Sequence, residues 1–228
     1  LRVTDDGKGM EAEDLPLSVE RHATSKIQTA ADLFSVKTLG FRGEALPSIA
    51  SVSRLTLRSR PSDTSSPSSS GVSHGFELLI DGGKKGEPQP VGMPPGTTVI
   101  VQDLFFNTPA RRKFMKSPVS ELYQMTRVLS ESVVAYPEVA FRFMHDGKLI
   151  LSSVGNGARL DAILNVYEPA WQKELLPISF TQDGIIIEGF IGKPTFTRGT
   201  RQAQSYFVNR RIVRNFLLSK VLEEAYRT

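Results

Sequence analysis

Apolar and polar positions alternate cleanly over residues 52–58, the pattern of a half-buried strand. Residues 11–20 carry Leu15, Leu17 and Val19 and predict a helix. Residues 30–36 read as a short helical turn. Residues 41–50 read as a glycine-rich turn running into a helix, with Pro47 early enough to be tolerated. Strands are predicted at 76–80 and 97–101, flanking a Gly/Pro-rich connection. Residues 60–75 are rich in serine and proline, hold too little apolar surface to pack, and read as a mobile loop. Asn107 is placed to cap a basic helix beginning at Thr108-Pro109. A second helix is predicted over 120–135 and is stopped by Pro137. Residues 139–143 and 149–151 form a hairpin around Asp146-Gly147. The sum is an α+β layer: an open mixed, mostly antiparallel sheet with helices on one face.

Gly155-Asn156-Gly157 reads as a domain joint, which divides the chain into domains 1–155 and 156–228. Beyond the joint come a helix at 159–166 and strands at 185–191 and 206–208. A tight turn at Asn209-Arg210 leads into 211–214, and a last helix starts near Asn215. This is a second, smaller α/β unit.

At 228 residues, with 39% hydrophobic and 23% charged positions, the chain can bury a core without staples. There is no cysteine, which excludes a disulfide scaffold or a thiolate metal site and suits a reducing cytosol. His22, His74 and His145 show no metal-ligand spacing. No apolar run is long enough to span a bilayer, so no membrane partner is expected. No signal-peptide pattern opens the chain. Leu1 leads almost directly into a glycine motif, so further residues are expected ahead of it. Charge is uneven: residues 1–106 sum to −2 and residues 107–228 to +6. Residues 189–222 hold seven basic side chains and no acid, which points to a polyanion partner, though a solvated basic face has the same composition.

Four short stretches bear on chemistry. In Asp5-Asp6-Gly7-Lys8-Gly9 a carboxylate can accept from an amino group while glycines admit a flat ligand; a turn or a calcium loop would be spelled alike. Residues 21–26 (RHATSK) combine cations and hydroxyls suited to phosphate, or to a charged loop. In residues 39–46 (LGFRGEAL) glycines precede a helix whose first N–H groups attract anions, or form a plain turn and cap. Gly96-Thr97-Thr98 opens an apolar strand, where threonine is ordinarily structural.

The set as a whole resembles the gyrase/chaperone/histidine-kinase/MutL ATPase superfamily, and within it the MutL mismatch-repair family. RHATSKI at 21–27, GFRGEAL at 40–46 and DLFFNTPARRKF at 103–114 carry the likeness, which extends to FVNRR at 207–211 and covers essentially the entire chain. The resemblance implies a Bergerat-type ATPase fold over 1–155 and a second, transducer-like domain of ribosomal-protein-like type over 156–228. It implies that Asp5 meets the adenine amino group, with Gly7 and Gly9 admitting the base and Thr97 supporting it. It places Thr24, Ser25 and Lys26 on a lid, and Gly40, Arg42, Gly43, Glu44, Ala45 and Leu46 around the phosphates. Asp6 stands where many relatives have asparagine, which leaves the role of Asp5 intact. The family's general-base glutamate and magnesium-binding asparagine precede the DxGxG motif, and its phosphate-sensing lysine follows the last residue here. No catalytic residue is therefore expected within the chain, which by itself is expected not to hydrolyse ATP.

ATP and magnesium are the implied cofactors. The implied function is DNA mismatch repair by an ATP-driven clamp that dimerises on ATP binding and binds DNA without sequence preference. Arg198, Arg201, Arg210, Arg211 and Arg214 are the expected DNA contacts. A mismatch-recognition protein of the MutS kind and downstream nuclease or helicase factors are the implied partners, in a bacterial cytoplasm (or a nucleus, if eukaryotic). The alternatives are a DNA- and partner-binding module without turnover, or a topoisomerase-type ATPase.

Overall fold

A computed structural model describes residues 1–21, 43–62 and 74–227. The expected turn at 30–36 and most of the Ser/Pro-rich stretch lie outside them. The chain divides into two compact units, Leu1–Met115 and Lys116–Thr228.

The first unit is built on one antiparallel sheet. Its elements are β1 (Arg2–Asp5), α1 (Asp14–Ser18), α2 (Ala45–Ala50), β2 (Arg54–Arg60), β3 (Gly75–Asp81), β4 (Lys84–Lys85), β5 (Gln89–Val91) and β6 (Gly96–Gln102). The strand order is β1-β6-β2-β3-β4, with β5 also on β3, and every pairing among the described residues is antiparallel. Alternation along β2 turns Leu55, Leu57 and Ser59 inward, with the intervening residues half-buried or exposed. Leu55 and Leu57 meet Leu78 and Ile80 of β3, and Leu15, Val19 and Ala50 from α1 and its C-terminal flank and from α2 close the core over that face. The helices thus cover one side of the sheet, as expected. Of the apolar residues in the expected helix at 11–20, Leu15 and Val19 are buried while Leu17 is 55% exposed. Two positions along a helix turn the side chain to the far side.

After β6 the chain makes a single helical turn, α3 (Pro109–Arg112). Its N-cap is Thr108, not Asn107. The Asn107 amide instead donates to the Ser51 carbonyl at 2.9 Å, tying the segment back to the turn before β2. Arg54 reinforces that tie by donating to Asp103 Oδ2 at 2.8 Å.

The second unit begins with α4 (Pro118–Ala135), two residues earlier than expected. The Ser117 hydroxyl caps it by accepting from Ser120 N, and Pro118 at the first position loses no helical bond. A hairpin of β7 (Arg142–His145) and β8 (Lys148–Ser152) follows, then α5 (Arg159–Val166), which matches the expected span. Val133 of α4, Leu151 of β8 and Ala162 of α5 form one buried cluster flanked by Leu129, Phe141, Phe143 and Val166. That packing bridges Gly155–Gly157, within the compact unit that begins at Lys116. Next come β9 (Leu175–Gln182) and β10 (Ile185–Gly192), then β11 (Tyr206–Val208), β12 (Arg211–Val213) and α6 (Phe216–Ala225). Asn215 caps α6 by accepting from Leu217 N at 2.8 Å. The hairpin turns share one geometry: Asp146-Gly147, Asp183-Gly184 and Asn209-Arg210 all have both central residues at positive φ. That twist suits two-residue loops between right-twisted strands.

Candidate functional site

β1 ends at Asp5, and the antiparallel register sets Asp5 directly opposite Thr97 of β6. The Asp5 carboxylate uses one oxygen, Oδ1, to accept from Gly7 N at 2.9 Å and from Thr97 N at 3.3 Å. No hydrogen bond or ion pair among the described residues engages its other oxygen, and the residue is exposed. An acceptor-only carboxylate held at one oxygen offers the second to an amino donor. A Cβ on Gly7 would lie 2.9 Å from Asp5 Oδ1, so a side chain there would crowd the carboxylate. Gly9 has φ +68°, and a Cβ on it would lie 1.9 Å from the Arg60 carbonyl oxygen. The motif backbone is thereby laid against the end of β2. Ser62 N donates to Lys8 O at 3.0 Å and Met10 N to Ser59 Oγ at 2.8 Å, fastening it there.

Ser59 was not singled out in the sequence. It is fully buried, and besides Met10 N it meets Thr97 Oγ1 at 2.9 Å and the Gly96 carbonyl at 3.1 Å. The available signal was its phase: it continues the inward face of Leu55 and Leu57 as a hydroxyl, and a buried hydroxyl needs partners.

Of the expected phosphate-binding residues, Thr24, Ser25, Lys26, Gly40 and Arg42 lie outside the described residues. Gly43, Glu44, Ala45 and Leu46 form the turn into α2. Gly43 has φ +61°, a conformation costly to other residues. Glu44 and Ala45 are exposed, while Leu46 packs its side chain on the core. Leu46 can therefore offer a ligand only its backbone. A purine-bearing nucleotide fits the Asp5 corner by chemistry. Among the described residues no three carboxylates or histidines gather where they could hold a metal ion.

The basic stretch looks different in three dimensions from its linear composition. Arg201 makes a two-pronged pair with Glu223 at 2.6 and 2.9 Å, Arg214 pairs with Glu131 at 2.7 Å, and Arg210 pairs with Glu138. The Arg198 guanidinium lies 3.9 Å from the Phe196 ring centre and 4.9 Å from that of Trp171. Arg211 is half-buried. Arg201 holds the Glu223 carboxyl below the usual range and is itself raised by the same hydrogen bond. Glu138 is lowered first by a backbone hydrogen bond at its own position and then by Arg210. The five arginines share a stretch of sequence, but three of them already hold carboxylates.

Solved structures resemble the chain over nearly all its length. The MutL ATPase domain of Aquifex aeolicus complexed with ADP superposes with a TM-score of 0.70 at 28% identity, covering 98% of this chain and 74% of that one. The N-terminal domain of a DNA repair protein gives a TM-score of 0.75 at 25% identity, covering 99% and 68%. With the helix-backed antiparallel sheet, these define the class as an ATPase fold of the gyrase/chaperone/histidine-kinase/MutL type. The family described as "DNA mismatch repair protein, C-terminal domain" matches residues 163–228. The DNA mismatch repair protein MutL of Desulforudis audaxviator is 45% identical over 99% of this chain and 38% of its own length. That of Heliobacterium modesticaldum is 46% identical over 99% and 33%. The chain belongs to the MutL family of DNA mismatch-repair proteins, and it spans about a third of the length of these relatives.

Proposed function

We propose that the chain binds ATP, with Asp5 accepting from the adenine amino group beside Thr97 and with the backbone of residues 43–46 near the phosphates. The observation that carries this is the Asp5 carboxylate held by Gly7 N and Thr97 N with its second oxygen unengaged among the described residues. The ADP complex of the related Aquifex domain supports it. Thr24, Ser25, Lys26, Gly40 and Arg42 complete the proposed site. On this reading Leu1–Met115 is nucleotide-binding and Lys116–Thr228 transducer-like.

In the parent protein, ATP binding and hydrolysis drive a clamp that dimerises, holds DNA without sequence preference, and couples mismatch recognition to strand processing. The γ-phosphate supplies the differential contacts that order the surrounding loops. DNA contact falls to Arg198, Arg201, Arg210, Arg211 and Arg214. Phosphate must then compete with Glu131, Glu138 and Glu223 for three of these cations. Calorimetric titration of the full chain with ATP tests the nucleotide site. Asp5→Asn exchanges an acceptor oxygen for an amide that repels the amino group, and it should weaken binding at least about tenfold, the loss of one charged hydrogen bond. Equal affinity in Asp5→Asn and the native chain would refute the assignment.

A further inference from the structure

We propose that Asn107 is a positioning residue for the phosphate end of the nucleotide site, acting through α2. The role rests on the placement of residues 43–46 near the phosphates proposed above.

The last carbonyls of a helix have no donors within it. At the end of α2 three carbonyls find donors outside the helix. The Ser53 hydroxyl donates to Ile49 O at 2.7 Å, the Asn107 amide to Ser51 O at 2.9 Å, and Phe105 N to Val52 O at 2.6 Å. Two of the three come from the distant segment 103–107. Asn107 stands 56 residues after Ser51, so the residue that reads as a cap for the helix after it grips the end of a different one.

The segment is a braced loop. Asp103 and Phe105 have φ of 48° and 65°, a left-handed backbone that residues other than glycine seldom adopt. Arg54 holds that shape by donating to Asp103 Oδ2 at 2.8 Å, and its guanidinium lies 5.1 Å from the Phe106 ring centre. A Cβ on Gly82 would come within 3.0 Å of Asn107 Nδ2 and 3.1 Å of Phe106 Cζ, so the Asn107 amide sits in a close-fitting seat. Backbone strain of this kind persists where the surroundings over-determine it, and it points to a function.

That function is directional. Leu46, Ile49 and Ala50 pack α2 on the core. Apolar burial is non-directional, so it sets the distance of α2 from the sheet and resists sliding along the helix axis only weakly. The hydrogen bonds at Ser51 and Val52 weaken steeply when misaligned, and they fix the slide. The helix carries the constraint to its other end: Ser48 N donates to Glu44 O at 3.1 Å and Ser51 N to Pro47 O at 3.0 Å, across about 9 Å of helix. The backbone of Glu44, Ala45 and Leu46 lies at that other end. The adenine corner is built on β1 and β6 and not on α2, so a slipped α2 costs phosphate contacts and spares Asp5 and Thr97.

The test is calorimetric titration of the full chain with ATP and with AMP, which shares the adenine contact and lacks the β- and γ-phosphates. Asn107→Ala should weaken ATP about fivefold, one neutral hydrogen bond's worth, and leave AMP unchanged. Asn107→Asp has the same size but sets an acceptor against the Ser51 carbonyl, and it should weaken ATP about tenfold, again sparing AMP. Asn107 is exposed, so both variants should fold. Arg54→Gln unbraces the loop at a second residue and should give the same selective loss, about threefold, should either fail to fold. Equal losses for ATP and AMP would mark a merely structural role, and unchanged ATP affinity in Asn107→Asp would remove any role; either result overturns the positioning by Asn107 while leaving Asp5 as the purine contact. A native chain that binds ATP no more tightly than AMP would overturn it together with the phosphate placement of residues 43–46.

Discussion

Replacing Gly9 with alanine places a methyl group 1.9 Å from the Arg60 carbonyl oxygen, 2.5 Å from its carbon and 2.9 Å from Pro61 Cα. All three are backbone atoms and cannot rotate aside. Ordinary contact begins near 3.4 Å, so the motif and the end of β2 must separate by about 1.5 Å. The left-handed backbone at Gly9 costs an alanine about 1–2 kcal/mol. The overlap adds about 1–3 kcal/mol. Separation also strains the bonds from Met10 N to Ser59 and from Ser62 N to Lys8 O, about 1 kcal/mol each. The total, roughly 4–7 kcal/mol, rivals the whole stability of a typical domain.

Gly7→Ala is the informative contrast. Its added carbon meets only Asp5 Oδ1, at 2.9 Å, the end of a side chain that can swing away. The fold should hold within about 1 kcal/mol. The carboxylate, however, loses its seat on Gly7 N, and ATP affinity should fall about tenfold. Urea unfolding followed by circular dichroism, with ATP titration of each folded variant, separates the two effects. The reasoning is refuted if Gly9→Ala unfolds with the native midpoint, or if Gly7→Ala is the variant that unfolds.

Leu57 has no exposed surface; Leu57→Ala should cost about 2–5 kcal/mol, while Leu79→Ala, at a position 55% exposed, should cost under about 0.5 kcal/mol in the same urea assay. Glu138 and Glu223 have lowered carboxyl pKa values, so their contribution to stability is present above the ordinary value of 4.5 and is lost as pH falls below it through their folded values. Glu223→Gln should therefore flatten the acid limb of a plot of urea midpoint against pH, and an unaltered acid limb would show that the Arg201 pair contributes nothing. Arg214→Glu should weaken binding to a mixed-sequence duplex and lower the slope of log affinity against log salt by about one. Glu131→Gln, which releases Arg214, should strengthen the same binding; fluorescence anisotropy across a salt series reads both, and no change in either variant would remove Arg214 from the DNA face.

Local pattern carried far in this chain, and it stopped where distant residues decide. The helix at 159–166 and the strand at 206–208 were legible because spacing and turn residues agree there. β9 was not: Pro177 interrupts its apolar run, yet the residue is accommodated opposite Phe190 in a two-stranded sheet. β1 was hidden because only four residues precede the motif's first carboxylate. Asp5 was legible as a candidate, but its pairing with Thr97 depends on the register of two strands about ninety residues apart. The basic stretch misled for the same reason: Glu131 stands 83 residues before Arg214, and Glu138 72 residues before Arg210. Charge counted along the chain cannot see neutralisation supplied from that distance.

Asp5 and Thr97 share a single rung between β6 and a four-residue strand that is outermost among the described residues. Sliding β1 by one residue would swing the carboxylate to the opposite side of the sheet. A base gripping both residues would therefore act as a pin through the sheet's border. Occupancy and strand alignment would become one equilibrium, and slowed amide exchange at Val3, which pairs with Val99 of β6, would report the bound nucleotide without any probe attached to it.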